Sequence, residues 1–253
     1  MRNYLIQYMV ITALSISAIF AQAVSKTGTS AGQFLKIGVG SRAIGLGGAF
    51  TAIADDASSL YWNPSGIANN KTLSIFVDHY DWILDIEMDF IGFIIPLGSA
   101  GNLGVSTNYL HMGEMEVTST KNPEGTGEKF SAASYLGQIS YARNLTERFS
   151  LGSSIKLIKE SIWNSTATGI AIDIGTLYKS TFPGLKLGMS ISNYGSKMKM
   201  DGRDLLVQTD LDPSLESDPE NLNSNLMTDE FDLPMIFRLS LIHISEPTRR
   251  TII

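Results

Sequence analysis

GVGSRAIGLGGAFTAIADDASSLYWNPSGIANN, residues 38–70, is the stretch from which the rest of the chain can be read. Glycines stand at 38, 40, 45, 47 and 48, with another at 66. That is too many for a stable helix or strand interior, because glycine loses the most conformational freedom on ordering. Two helix-start signals follow. Asp55 or Asp56 caps a short turn through Ser58, Leu60 and Tyr61, and after Trp62 the pair Asn63-Pro64 places an N-cap before a proline at the first helical position. These residues predict a compact, glycine-rich, partly helical unit.

From Lys71 onward apolar residues recur at every second position, punctuated by turn residues. Leu73, Ile75 and Val77 share one face of a strand over 72–80, and 86–96 is apolar on both faces, with Glu87 and Asp89 early in the run. Past a tight turn at 98–102, Leu103, Val105, Thr107 and Tyr109 oppose Gly104, Ser106 and Asn108. Residues 112–128 are polar, hold Gly113, Pro123, Gly125 and Gly127, and predict a loop. Over 130–143, Ala133, Tyr135, Ile139 and Tyr141 oppose Ser134, Gln138 and Ser140.

The next segments alternate most cleanly. Phe149, Leu151, Ile155 and Leu157 oppose Ser150, Gly152, Ser154 and Lys156. Ile170, Ile172, Ile174, Thr176 and Tyr178 oppose Gly169, Ala171, Asp173 and Gly175, with 162–168 between the two strands read as a loop. After the turn Phe182-Pro183-Gly184, Leu185, Leu187, Met189 and Ile191 oppose Lys186, Gly188, Ser190 and Ser192. A long acidic loop over 201–232 leads to a new strand from Leu233.

Two features select a barrel over a sandwich. Connections at 98–102, 144–148 and 181–184 are short, whereas those at 113–128, 161–168 and 196–232 are long. An up-and-down transmembrane β-barrel predicts this, with short turns at one rim and long loops at the other. One strand face is small and hydrophilic while the other is Leu, Ile, Val and Tyr, and the strands approach the ~10 residues that cross a bilayer at a tilt. Among structures built of strands, only a closed barrel satisfies every backbone group in lipid. The expected fold is therefore all-β, an up-and-down transmembrane β-barrel with residues 24–71 as leader and luminal plug and 72–238 as a partial barrel of about eight visible strands. A soluble exported β-sandwich binding module, its Leu/Ile face buried against a second sheet, is the alternative from another class.

Composition agrees with export to a wet-walled barrel. The chain has 253 residues, a formal net charge of −6, and charged residues at 17%. An acidic balance argues against a nucleic-acid partner, whose phosphates need a basic face. The absence of cysteine removes disulfides, zinc-thiolate sites and cysteine nucleophiles together. Residues 1–23 read as a signal peptide: Arg2 is the basic n-region, MVITALSISAIF (9–20) the apolar h-region, and Ala21-Gln22-Ala23 a small-x-small cleavage site before Val24. At the other end, LSLIHISEPTR (239–249) is what one frame of a transposase-type sequencing adapter encodes. Residues 239–253 are thus expected to be read-through, with natural sequence ending near Arg238, the barrel C-terminally truncated, and His243 removed from any catalytic role.

The segment FLKIGVGSRAIGLGGAFTAIADDASSLYWNPSGIA (34–68) resembles the N-terminal signature of the PorV/PorQ family of bacterial outer-membrane barrels. More distantly, ADDASSLYWNPSGI (54–67) is similar to the hatch segment of FadL-type fatty-acid channels. The PorV/PorQ resemblance implies a barrel of about fourteen strands in the outer membrane, contacting its lipid. It also implies a role in type IX secretion and surface delivery of exported proteins, with cargo C-terminal domains and other secretion components as partners. Its signature positions here are Gly38, Gly40, Arg42, Gly45, Gly47, Gly48, Asp55, Asp56, Tyr61, Trp62, Asn63, Pro64 and Gly66. The FadL resemblance implies instead a channel for hydrophobic small molecules, with an apolar pocket lined by Phe34, Ile44, Leu46, Phe50 and Tyr61.

Candidate chemistry is sparse, and no catalytic, cofactor-binding or metal site is expected. Gly38-Val-Gly40-Ser-Arg-Ala43 matches a loose dinucleotide fingerprint, but more glycines stand where its helix should run. Asp55-Asp56 reads as a cap or as a partner of Arg42. Asp78, His79 and Asp81, interleaved with Tyr80 and Trp82, read as an interfacial girdle at a strand end, and His111 as single and unpaired. The ten carboxylates of 201–232 against Arg203 read as a solvated surface loop without calcium-loop spacing.

Overall fold

The computed structural model describes residues 30–209 and 222–243. The expected signal peptide, the most acidic part of the late loop and residues 244–253 lie outside the described residues. Eight long strands follow the alternating segments: β1 (Ser74–Asp81), β2 (Ile86–Pro96), β3 (Asn102–Met112), β4 (Ala132–Asn144), β5 (Phe149–Ile162), β6 (Ser165–Lys179), β7 (Leu185–Gly195) and β8 (Ile236–His243). They pair in chain order as one antiparallel meander. Strands β1 and β8 form its two edges, so the described strands do not close on themselves. Among the described residues no helix is long and apolar enough to cross a membrane.

Period-two patterning assigns each side chain to a face, and register locks the assignment, because a one-residue slip would reverse it. On the inner face Gln138, Ser140, Ser154, Lys156 and Asp173 are buried. On the outer face Ile139, Ile155, Leu157, Ile170, Ile172, Ile174 and Phe237 are exposed, Ile155 at 61% and Leu157 at 62%. No second sheet of described strands covers them. The sandwich expectation, which buries this face, is not met.

Two sequence-based boundaries are corrected, at 162–168 and at Leu233, since the last strand begins only at Ile236. Residues 162–168 are not a long loop: β5 and β6 run on to a two-residue hairpin at 163–164, with Trp163 at φ 49°. The run Ser165-Thr166-Ala167-Thr168 is itself alternating and β-prone, with Ser165 and Ala167 buried, so it extends the strand. The β1–β2 connection is also tight, with Trp82 donating to the Ile86 carbonyl at 2.7 Å. Only one rim therefore has uniformly short turns; the other mixes two hairpins with the long connections at 113–131 and 196–235. The described part of 201–232 is paired as well as solvated: Asp201–Gly202 joins β6, Leu206–Thr209 pairs with Leu222–Asn225, and Glu230–Phe231 pairs with Met198–Lys199. At the chain end, β8 continues past Arg238 without a break, pairing Leu239 with Met189 and His243 with Leu185. Leu-Ser-Leu-Ile-His is a period-two run and extends any strand it follows.

Residues 31–70 lie against the inner face. They contain α1 (Ser41–Gly45), α2 (Ser59–Trp62) and the 3-10 turns Gln33–Lys36 and Pro64–Asn69. One apolar core joins Val39, Phe50, Leu60, Trp62 and Ile67 of this segment to Met88, Phe90 and Ile94 of β2. A second joins Phe34 and Leu35 to Leu136, Ile158, Ala167 and Leu233.

Candidate functional site

The interface between the N-terminal segment and the inner sheet face gathers most of the buried polar side chains. Asn63 is its hub. As the N-cap of Pro64–Asn69, with proline at the first turn, it accepts from the Ser65 amide at 3.2 Å and the Ser65 hydroxyl at 2.7 Å. Its Nδ2 donates to the carbonyls of Thr51 (2.8 Å) and Thr176 (3.2 Å), the latter on β6. A side chain that is fully buried thus satisfies both its donors and its acceptor.

Strand side chains bind several carbonyls of the segment, where its short helices end. Gln138 Nε2 donates to Leu60 at 2.7 Å, Ser190 Oγ to Trp62 at 3.1 Å, and Asn102 Nδ2 to Ile67 at 2.5 Å and to Asn70 at 2.8 Å. In the other direction Asp78 accepts from the Gly40 amide at 2.7 Å and Glu160 from the Gly32 amide at 3.1 Å. Strand glycines let the backbones approach. A Cβ on Gly152 would lie 2.5 Å from the Pro64 carbonyl carbon, and one on Gly188 would lie 2.4 Å from the Thr51 oxygen.

The predicted signature residues divide by role. Arg42 Nη1 reaches Asp55 at 2.6 Å and Asp56 at 3.3 Å, as the sequence suggested, in a half-exposed cluster. The hydrogen bond to Asp55, reinforced by both carboxylate charges, raises the Arg42 pKa above its ordinary value. Asp56 also accepts from the Ser58 amide at 2.8 Å, the capping role expected of it. Tyr61 and Trp62 pack edge to face at 5.0 Å and donate to the carbonyls of Leu35 and Val39. Burial pushes the Tyr61 hydroxyl pKa up, consistent with its use as a donor. Gly38 and Gly48 line the Trp62 ring, Gly40 (φ 87°) makes the entry to α1, and Gly66 meets the Ala54 carbonyl where a Cβ would be 2.5 Å away. Gly45 and Gly47 face open space.

The five residues of the expected apolar pocket differ in burial and cluster. Phe34 belongs to the second core, Phe50 and Tyr61 to the first, and Ile44 and Leu46 are exposed at 53% and 46%. Among Asp78, His79 and Asp81, only His79 and Asp81 are exposed; Tyr80 turns inward and donates to the Gly38 carbonyl at 3.0 Å, so it does not belong to a girdle. His111 is not unpaired. It lies 3.4 Å from Asp89 and 3.5 Å from Glu87, while His79 meets Asp89 at 2.8 Å. Among the described residues no group of three or more His, Asp and Glu is arranged to hold a metal ion.

Two features are not legible in the sequence. Lys156 Nζ lies 2.6 Å from Asp173 Oδ2, with both side chains buried, and 2.8 Å from Asn193 Oδ1. A bulge in β7 opposite Asp173 puts Asn193 at φ 62° and aims its amide at Asp173 Oδ1 (2.8 Å), completing the network. Arg238 of β8 then stacks over Tyr61 and Trp62, 5.4 and 5.2 Å from the ring centres. Alternation places Lys156 and Asp173 on the polar face but not beside each other, and it says nothing of Arg238 beneath the aromatic pair.

A family model described as type IX secretion system protein PorV matches residues 20–213. Two curated relatives, both UPF0164 proteins of Treponema pallidum (strain Nichols), are 26% identical over 76% of this chain and 25% identical over 64% of it. The chain spans 63% of the length of the first and 43% of the second. No solved structure matches the chain significantly.

Proposed function

Because the chain belongs to the PorV family of type IX secretion proteins, we propose that it is an outer-membrane β-barrel protein that assists surface delivery of exported proteins. In this reading further strands join the open edges of β1 and β8, and residues 31–70 plug the lumen. Cargo C-terminal domains and other secretion components are its partners, and it performs no enzymatic step.

The inverted arrangement of the sheet carries this reading: polar and charged side chains are buried against the N-terminal segment while a belt of Ile, Leu and Phe is left outward. Leaving roughly a dozen half-exposed large apolar side chains in water forgoes on the order of 10–20 kcal/mol, as much as the net stability of an ordinary domain. Lipid removes that penalty. The tight binding of the segment through Asn63, Gln138 and the strand glycines favours a fixed plug over an open channel for hydrophobic small molecules.

Fractionation combined with gene deletion tests the proposal. The protein should fractionate with the outer membrane and show heat-modifiable gel mobility, and deletion should strip the cell surface of its anchored cargo. Cargo display unaffected by deletion would refute the secretion role.

A further inference from the structure

The outer face carries one recess whose chemistry changes along its length. A shallow groove of about 630 Å³ crosses β4, β5 and β6, lined by Tyr135, Gly137, Leu157, Lys159, Thr168 and Ile170. Register arranges these residues in two rows: Gly137, Leu157 and Ile170 face one another across the three strands, and Tyr135, Lys159 and Thr168 form the next row toward the 163–164 hairpin. The lower row is apolar and the upper row polar with one cation.

Gly137 makes the recess. It stands in the outward series between Tyr135 and Ile139, and a Cβ there would meet nothing within 4 Å. The missing side chain therefore answers to no neighbour in the fold. Lys159 is exposed, and the described contacts of charged groups with carboxylates elsewhere on the sheet employ other groups: His79 and His111 lie beside Asp89 and Glu87, and Lys129 pairs with Glu114. An ammonium group above an apolar notch matches an anionic headgroup joined to a hydrocarbon chain, and a lysine at this level extends its charge to the interface while its stem lies on apolar surface.

We propose that this groove is a binding site for one phosphate-bearing membrane lipid, its acyl chain over Gly137 between Leu157 and Ile170 and its phosphate on Lys159. The site rests on the outer face meeting lipid, as in the function proposed above.

Native mass spectrometry of the full-length protein released from nanodiscs tests it, using phosphatidylglycerol and phosphatidylcholine of identical acyl chains. Wild type should retain one phosphatidylglycerol in preference to phosphatidylcholine. Lys159→Gln should reduce that retained lipid about tenfold, and Gly137→Phe should abolish it while keeping heat-modifiable mobility, since its ring enters open space. Equal retention of the two lipids, or retention unchanged in both variants of a protein that inserts normally, overturns the lipid site alone. A protein that stays folded in buffer without detergent and never enters nanodiscs overturns both this site and the membrane reading.

Discussion

Asn63 occupies the space in which a side chain at Gly175 would stand: a Cβ built on that glycine lies 2.0 Å from Asn63 Oδ1. The asparagine caps a turn of the N-terminal segment and the glycine belongs to β6, so the segment is keyed into the sheet by a missing side chain. Gly104, Gly152 and Gly188 repeat the arrangement beneath Leu60, Pro64 and Thr51.

Valine at Gly152 or Gly175 should therefore push the segment off the sheet. Overpacking of this kind costs about 1–3 kcal/mol. It should appear as a lowered urea midpoint and as faster protease cleavage within residues 31–70. Gly137→Val, on the outer face, should leave both unchanged.

The buried Lys156–Asp173 pair should behave as a unit. Removing one partner, as in Lys156→Met, strands a buried charge and should cost about 3–5 kcal/mol, whereas Lys156→Met with Asp173→Leu should recover most of it. Unfolding of the two single variants and the double variant measures the coupling; simple additivity would contradict it.

Arg238→Ala should loosen the Tyr61–Trp62 pair, costing roughly 0.5–2 kcal/mol of cation–π attraction. Trp62 emission is the readout, and Arg238→Lys should restore part of the signal.

In the half-exposed cluster, Arg42→Ala should change stability by no more than about 1 kcal/mol, because solvent screens such pairs. Asp56→Ala should cost about 1–2 kcal/mol, because it also removes the cap on the Ser58 amide. Paired thermal melts would rank the two variants.

Much of this architecture is written in local pattern. Strict alternation in β5 and β6 fixed which side chains face each way, and Asn63-Pro64 announced its own turn, since a cap is a matter of adjacent residues. The 163–164 hairpin is not legible in the sequence because Thr and Ser suit both loops and strands, and only the pairing of Ile162 with Ser165 decides between them. The Lys156–Asp173–Asn193 network depends on a bulge, a single-residue irregularity that no periodicity reveals. Arg238 meets Tyr61 and Trp62 across a long sequence separation, so their contact is a property of topology. Gly137 looked like any other glycine in an alternating run, and only the outer surface shows that nothing fills its place.

Neighbouring positions on β5 offer the most direct test of which face meets lipid. A tryptophan placed at Ile155, and separately at Ser154, would be examined by fluorescence in bilayers containing dibrominated phospholipid, with the native tryptophans replaced by phenylalanine. Strong quenching at position 155 with none at 154 is the predicted result. Quenching at neither position, or at 154 alone, would contradict the assignment of Ile155, Leu157 and their row to the bilayer.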